Sequence, residues 1–242
     1  DVCSSDLNAA ELGWPAAYFS AEMRATDVGH RILAQRAGLD LLNLIQGHLS
    51  NDEMQRVIAA EEGVRALPLY IDQGMSITVQ AIRSRAQRMK RAKGTGIVFV
   101  DYLQLLTTAR RENRVGELTE ITRALKCLAV ELDAPIVLLS QLSREHLKRD
   151  NKRPILSDLR ESGSIEQDAD IVLFTYREHY YLAREEPKDP NKVPGWQADL
   201  EACKTKCEVI IAKQRQGPLG TVVLGFEART TRFHEGEQGV ML

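Results

Sequence analysis

Four short apolar runs in this chain are each followed by residues that could act on a phosphate group. Ser20-Ala21-Glu22 follows Tyr18-Phe19, and Asp101 follows Val98-Phe99-Val100. Ser140-Gln141 follows Leu138-Leu139, and Lys213-Gln214-Arg215 follows Ile210-Ile211-Ala212. An acid that ends an apolar strand, as Asp101 does, can hold hydrated Mg²⁺ against phosphates, the Walker B arrangement. A second carboxylate such as Glu22 can orient and polarise an attacking water. A neutral amide such as Gln141 can hydrogen-bond a γ-phosphate and report its loss. Lys213 and Arg215 can neutralise charge developing on a transferred phosphoryl group, an effect worth roughly 10³–10⁵ in rate for arginine fingers.

Each residue alone has a plainer reading. Asp101 could cap a helix, Glu22 could be a solvated first-turn acid, Gln141 a loop amide, and Lys213 with Arg215 a solvated basic turn. Taken together, the types make up the parts of a nucleoside-triphosphate hydrolysis site.

Such a site forms only if the runs are strands of one sheet. The runs are Ala16-Ala17-Tyr18-Phe19, Leu67-Pro68-Leu69-Tyr70-Ile71, Ile97-Val98-Phe99-Val100, Ile136-Val137-Leu138-Leu139, Ile171-Val172-Leu173-Phe174 and Val209-Ile210-Ile211-Ala212. Most are apolar throughout rather than alternating, which suits strands buried on both faces of a parallel sheet. Between them, Asp27 to Ala37, Ser50 to Ala60, Ile77 to Arg91 and Val115 to Leu132 read as helices. Ser50 and Glu53 form a capping-box pattern. Leu118, Ile121, Leu125, Leu128 and Leu132 form an apolar stripe. Strand and helix alternate, so the expected class is α/β, with ligands at the carboxyl ends of the strands. Segments 221–226 and 230–233 read as a closing β-hairpin. Thr107 to Gly116 and Ser143 to Asp168 read as loops, and Arg184 to Pro194 as an exposed insertion.

Composition narrows the function classes. The 242 residues are 43% apolar and 27% charged, as in ordinary soluble domains, and no apolar run reaches membrane-span length. Four scattered cysteines give no disulfide framework, which points to a reducing cytoplasm. Cys203 and Cys207 have no second Cys or His pair nearby, so they read as ordinary thiols rather than a zinc site. A formal net charge of −2 excludes a globally basic nucleic-acid binder but leaves room for local basic loops.

Five segments carry a resemblance. They are Phe19-Ser20-Ala21-Glu22-Met23, Val100-Asp101-Tyr102-Leu103-Gln104-Leu105, Leu139-Ser140-Gln141-Leu142-Ser143-Arg144, the run from Ser157 to Asp170, and Ile211-Ala212-Lys213-Gln214-Arg215-Gln216-Gly217-Pro218. In order and approximate spacing they closely resemble the C-terminal motor domain of DnaB-type replicative helicases, over about residues 8 to 235. The run from Ser157 to Asp170 is the most specific of them.

The resemblance implies a RecA-like P-loop NTPase core, with a mostly parallel central sheet flanked by helices and a C-terminal β-hairpin. It implies ATP and Mg²⁺ as cofactors, with Glu22 as catalytic glutamate, Asp101 as the metal-linked acid through water, and Gln141 as γ-phosphate sensor. Lys213 and Arg215 would reach into a neighbouring subunit's site. It also implies a cytoplasmic homo-hexameric ring on single-stranded DNA, moving 5′ to 3′ and unwinding duplex at the replication fork, with a primase and a helicase loader as partners. The loop with Arg160, Glu161 and Gly163 would grip the DNA backbone. Arg110, Arg111 and Arg114 are further DNA candidates that read equally well as a solvated surface loop.

The sequence departs from the family at one place. A Gly-x-x-x-x-Gly-Lys-[Ser/Thr] loop is expected upstream of Glu22, and no such motif occurs in these residues. Asn8 to Gly13 reads as the tail of the helix that follows that loop. Residues 1–7 match nothing expected there, and residues 236–242 read as a tail. A truncated fragment with foreign residues 1–7 is the favoured explanation; a degenerate domain is the other. Either way, weak or absent ATP binding is expected of this polypeptide. Two other functions remain open: a RecA-like DNA-dependent ATPase of recombination or repair, and a non-catalytic interaction domain.

Overall fold

The structure, a computed structural model, describes residues 2–74, 77–94, 96–107, 114–159 and 163–236. The chain forms two compact units. The first holds α1 (Val2–Glu11), β1 (Ala16–Ser20), α2 (Ala25–Ala37), α3 (Leu41–Gln46), α4 (Asn51–Arg65), β2 (Leu69–Gln73), α5 (Val79–Lys93), β3 (Ile97–Asp101), α6 (Arg114–Leu132), β4 (Ile136–Leu138) and α7 (Gly163–Asp168). The second holds β5 (Ile171–Tyr176), α8 (Glu178–Leu182), α9 (Val193–Cys203), β6 (Lys206–Gln214), β7 (Gly220–Glu227) and β8 (Arg232–Glu235).

In the first unit, β2, β1, β3 and β4 lie in that order, and every pair is parallel. Here the apolar runs are buried as expected. All five residues of β1 are buried, and so are Val98, Phe99 and Val100 of β3. Helices α1 and α5 pack on β1, and α6 packs on β4. The stripe on α6 is buried from Leu118 to Leu132. Helix α1 supplies Leu7 and Ala10 to a core cluster with Ala16, Tyr18, Val28, Ile32 and Phe99.

The local stop and start signals act as their chemistry requires. Gly38 ends α2 at φ 63°, a left-handed position where a side chain is strained. Ser50 and Glu53 form the reciprocal capping box that starts α4. That helix runs on to Arg65 rather than stopping at Ala60. A Glu61–Arg65 pair one turn apart supports the extra turn, and Pro68 follows it. Thr78 caps α5 by accepting the N–H of Ala81.

The second unit differs from the expectation of continuous parallel strands. Its sheet has the order β5-β6-β7-β8, and all its pairs are antiparallel. Strand β5 is the edge and alternates: Val172, Phe174 and Tyr176 are buried, while Ile171 and Leu173 are 53% and 55% exposed. An apolar run specifies a strand but not the direction of its neighbour, which is why the run alone misread this sheet. The expected closing hairpin is present as β7 and β8, with Phe226 opposite Phe233. The expected insertion is exposed, and it leads into α9 with Pro194 in the first turn. The expected loop from Ser143 to Asp168 contains two short helical turns, Arg144–Lys148 and Leu156–Asp158, and ends in α7.

The approach of β3 to β1 depends on Gly96. Ile97 donates its N–H to the Pro15 carbonyl at 2.8 Å. A Cβ on Gly96 would sit 1.8 Å from that same oxygen. Gly96→Ala is therefore expected to destabilise the protein by about 1–3 kcal/mol through forced overpacking. Urea unfolding measures it; a midpoint equal to wild type would mean the two strands can separate at no cost.

Candidate functional site

The site is built by the parallel ladder. Because β1, β3 and β4 are adjacent and parallel, the residues that follow them emerge side by side at one end of the sheet. Ser20 pairs with Asp101 across the ladder, which puts their Cα atoms about 5 Å apart. Backbone hydrogen bonds continue past the strands. Ala21 N–H donates to Asp101 O at 2.8 Å, and Leu139 N–H donates to Val100 O at 3.0 Å. Leu103 N–H in turn donates to Leu139 O at 2.9 Å. The structure thus places Asp101 and the segments that carry Glu22 and Gln141 at one end of the sheet.

Each of the three is held differently. Ser20 is buried, and its Oγ accepts the N–H of Met23 at 2.8 Å. That bond closes a tight turn around Glu22, whose side chain is exposed at its tip. Asp101 is half-buried, and the Tyr18 hydroxyl donates to its Oδ2 at 2.5 Å. Gln141 is exposed, but its backbone is clamped: its N–H donates to Gln104 Oε1 at 3.2 Å. The Gln104 amide also donates to Ser140 Oγ at 3.0 Å.

Tyr18, Ser20 and Gln104 are the supports that reasoning from sequence assigned no role. Gln104 carried a signal, a lone amide inside Leu103-Gln104-Leu105-Leu106 just past the strand-end Asp101. Arg114 is half-buried and donates to the Gln104 carbonyl at 2.6 Å while pairing with Glu117 at 2.5 Å. Its charge therefore braces the segment after Asp101. Gly163 is exposed at the start of α7. That helix is tied to α6 by Thr122, whose hydroxyl donates to Asp168 at 2.6 Å. Arg110, Arg111, Arg160 and Glu161 lie outside the described residues.

Lys213 and Arg215 belong to the second unit. Lys213 lies near the end of β6 opposite Val172, next to an irregularity in the ladder between Val172 and Leu173. Arg215 follows the strand, donates its N–H to Asp170 O at 3.0 Å, and pairs with the Asp170 carboxylate at 3.5 Å. Both side chains of that pair are about half exposed, so water and salt compete with it.

Asp158 is 3% exposed and sits two residues before Arg160. Arg149 donates to both its oxygens, at 3.0 and 2.7 Å, and Ile155 N–H donates at 2.9 Å. Burial alone would raise this carboxyl. The Arg149 guanidinium and the Ile155 N–H outweigh that and hold it below the usual carboxylate range.

The chemistry of a metal at this site is limited by the donor set. Among the described residues, no group of three or more His, Cys, Asp or Glu could cage an ion. A single strand-end carboxylate with one oxygen already engaged fits a hydrated Mg²⁺ whose other ligands are phosphates and water. Cys203 and Cys207 are buried free thiols, pushed up chiefly by burial, and form no metal site among the described residues.

The family model of the DnaB-like helicase C-terminal domain matches residues 4–235. The replicative DNA helicase DnaB of Rickettsia bellii is 45% identical over 222 residues, covering 89% of this chain and 45% of the relative. The DnaB helicase of Geobacillus stearothermophilus is 42% identical over 219 residues, again covering 45% of its length. The chain therefore spans about half the length of the curated relatives it matches. Among solved structures, an ATPase domain superposes with a TM-score of 0.86 at 32% identity, covering 98% of this chain and 79% of that one. A DnaB-like replicative helicase studied for its interactions with primase gives 0.84 at 32% identity, covering 96% of this chain and 53% of that one. A KaiC-like protein from Pyrococcus horikoshii, 16% identical with a TM-score of 0.53, shares the fold.

The Asp158 anchor has a pH signature. A depressed folded pKa contributes stability that is present above the unfolded carboxylate value, about 3.9, and is lost as pH falls through the folded value. Asp158→Asn is expected to cost about 2 kcal/mol at neutral pH. The gap to wild type should close as pH drops below the usual carboxylate range. Thermal melts across pH 2–7 read this; a gap independent of pH would assign the loss to packing.

Proposed function

Because the chain belongs to the DnaB-like helicase C-terminal domain family, with a RecA-like α/β fold, we propose that it is the ATP-hydrolysing motor of a replicative DNA helicase. The motor is taken to run from about residue 8 to residue 235. The supporting observation is the convergence of Glu22, Asp101 and Gln141 at the ends of three adjacent parallel strands. The parent protein is a homo-hexameric ring that moves 5′ to 3′ on single-stranded DNA. A primase and a helicase loader are its proposed partners. A relative has been solved for its interactions with primase, which supports the first of these.

In this reading ATP is the substrate. The exposed Glu22 carboxylate orients a water and accepts its proton as the water attacks the γ-phosphorus, the bond from that phosphorus to the β–γ bridging oxygen breaks and ADP leaves. Asp101 would hold a phosphate-bound cation through water. When bound, Mg²⁺ supplies charge neutralisation on the phosphate oxygens. The Gln141 side chain bonds the γ-phosphate, and the Gln104 clamp on its backbone fixes where that side chain begins. Lys213 and Arg215 act on the neighbouring subunit's nucleotide, Arg215 by leaving its exposed bond to Asp170 for a phosphate.

DNA contact is assigned to Arg160, Glu161 and Gly163, with Arg110, Arg111 and Arg114 as further candidates. Of these, Arg114 acts mainly through the segment it braces. Backbone recognition needs only a few donors per subunit when six subunits share the strand, which suits a net charge of −2.

The test uses the chain preceded by a family phosphate loop. Glu22→Gln is expected to keep nucleotide affinity while hydrolysis falls by about 10²–10⁴. Retained turnover would remove Glu22 from catalysis. Arg215→Ala is expected to lose ATPase and to recover part of it when mixed with a Glu22→Gln partner, since the finger of one subunit serves the next. Mixed rings without recovery would make the arginine's role local. A forked substrate with a free 5′ tail then distinguishes a helicase from a plain ATPase.

A further inference from the structure

We propose that Tyr18 is a positioning residue for the metal-linked acid: its phenol holds Asp101 Oδ2 and thereby presents Oδ1 to a hydrated divalent cation. This rests on the reading of Asp101 as the carboxylate that faces the metal.

The geometry follows from the strand register. Tyr18 lies opposite Phe99 on the parallel ladder, and Asp101 is two residues beyond Phe99. Side chains two apart on a strand share a face, so Tyr18 and Asp101 are diagonal neighbours on one face of the sheet. Tyr18 is 1% exposed and lies in one core cluster with Ala16, Val28, Ile32 and Phe99. Its strand is hydrogen-bonded on both sides, by β2 and β3. The ring therefore has no room to move, and its hydroxyl is a fixed point.

The chemistry explains why a phenol rather than a phenylalanine stands there. A core of this kind is filled as well by a bare ring. A buried hydroxyl carries a desolvation cost that only a good acceptor offsets. Here the acceptor is a carboxylate at 2.5 Å, the range of a charge-assisted O–H···O⁻ bond. A carboxylate has two oxygens with about four acceptor sites. Tethering one oxygen restricts rotation about the last side-chain bond and leaves the other oxygen aimed. The ordering cost is then met on folding rather than on metal binding. The arrangement is the carboxylate counterpart of outer-shell partners that orient metal-binding histidines.

The experiment uses the chain as it stands, with Mn²⁺ alone as probe, read by residue-resolved line broadening around Asp101 in NMR. Thermal melts confirm that each variant is folded. Asp101→Asn is expected to abolish the selective broadening. Tyr18→Phe, which removes only the hydroxyl, is expected to weaken the apparent Mn²⁺ affinity about tenfold. The double variant should be no weaker than Asp101→Asn, because the phenol acts only through the carboxylate.

A Tyr18→Phe titration that overlays wild type, while Asp101→Asn abolishes the effect, overturns the role of Tyr18 and leaves the metal reading standing. Unchanged broadening in Asp101→Asn, or no selective broadening around Asp101 in the wild type, overturns the metal reading and the proposal with it. A second measurement needs no variant. The Tyr18 hydroxyl proton of the wild type is expected far downfield, protected from exchange, and shifted by diamagnetic Mg²⁺. A hydroxyl resonance indifferent to Mg²⁺ also overturns the proposal.

Discussion

The ladder between β1 and β3 is the constraint on which the site depends. It is parallel, it sets Ser20 beside Asp101, and it continues one step beyond the strand as Ala21 N–H to Asp101 O. Parallel direction matters more here than sheet membership. With β1 and β3 antiparallel, the residues after each would leave at opposite ends and Glu22 could not meet Asp101. Gly96 permits the close start of this pairing, and the crossovers through α2 to α4 and through α5 return the chain to the same end of the sheet, so that the strands run parallel.

From that ladder outward, exposed side chains stand on buried or half-buried supports. Glu22 and Gln141 are open to solvent, while the atoms that aim them, Ser20 Oγ and the Gln104 amide, are tied to backbone. The division is physically sensible. A side chain can stay open to solvent while the backbone it starts from is fixed. Arg114 extends the scheme by one residue, because it braces Gln104 while Gln104 braces Gln141.

Much of this was legible from residue order. The strand-end acids, the capping box at Ser50 and the stripe on α6 are local patterns, and local patterns survive folding. Three things were not legible. The antiparallel pairing of β5 with β6 is a choice of partner, and apolar content carries no direction. Tyr18 looked like any core aromatic, because the hydroxyl matters only through a diagonal contact that register alone reveals. Short helices such as α3 and α8, at six and five residues, are too brief for a periodic signal to rise above the surrounding sequence.

The alternation along β5 bears on how the molecule could be taken apart. Ile171 and Leu173 point away from the second unit's own core, on a strand that ends the sheet. Excised and produced alone, that unit would offer a line of unpaired backbone groups studded with aliphatic side chains, a ready template for another copy. The segment is thus poor material for domain transplantation or for a minimal recombinant module. Cutting the unit free together with its Arg144–Asp158 segment would leave that strand, and its stickiness, unchanged.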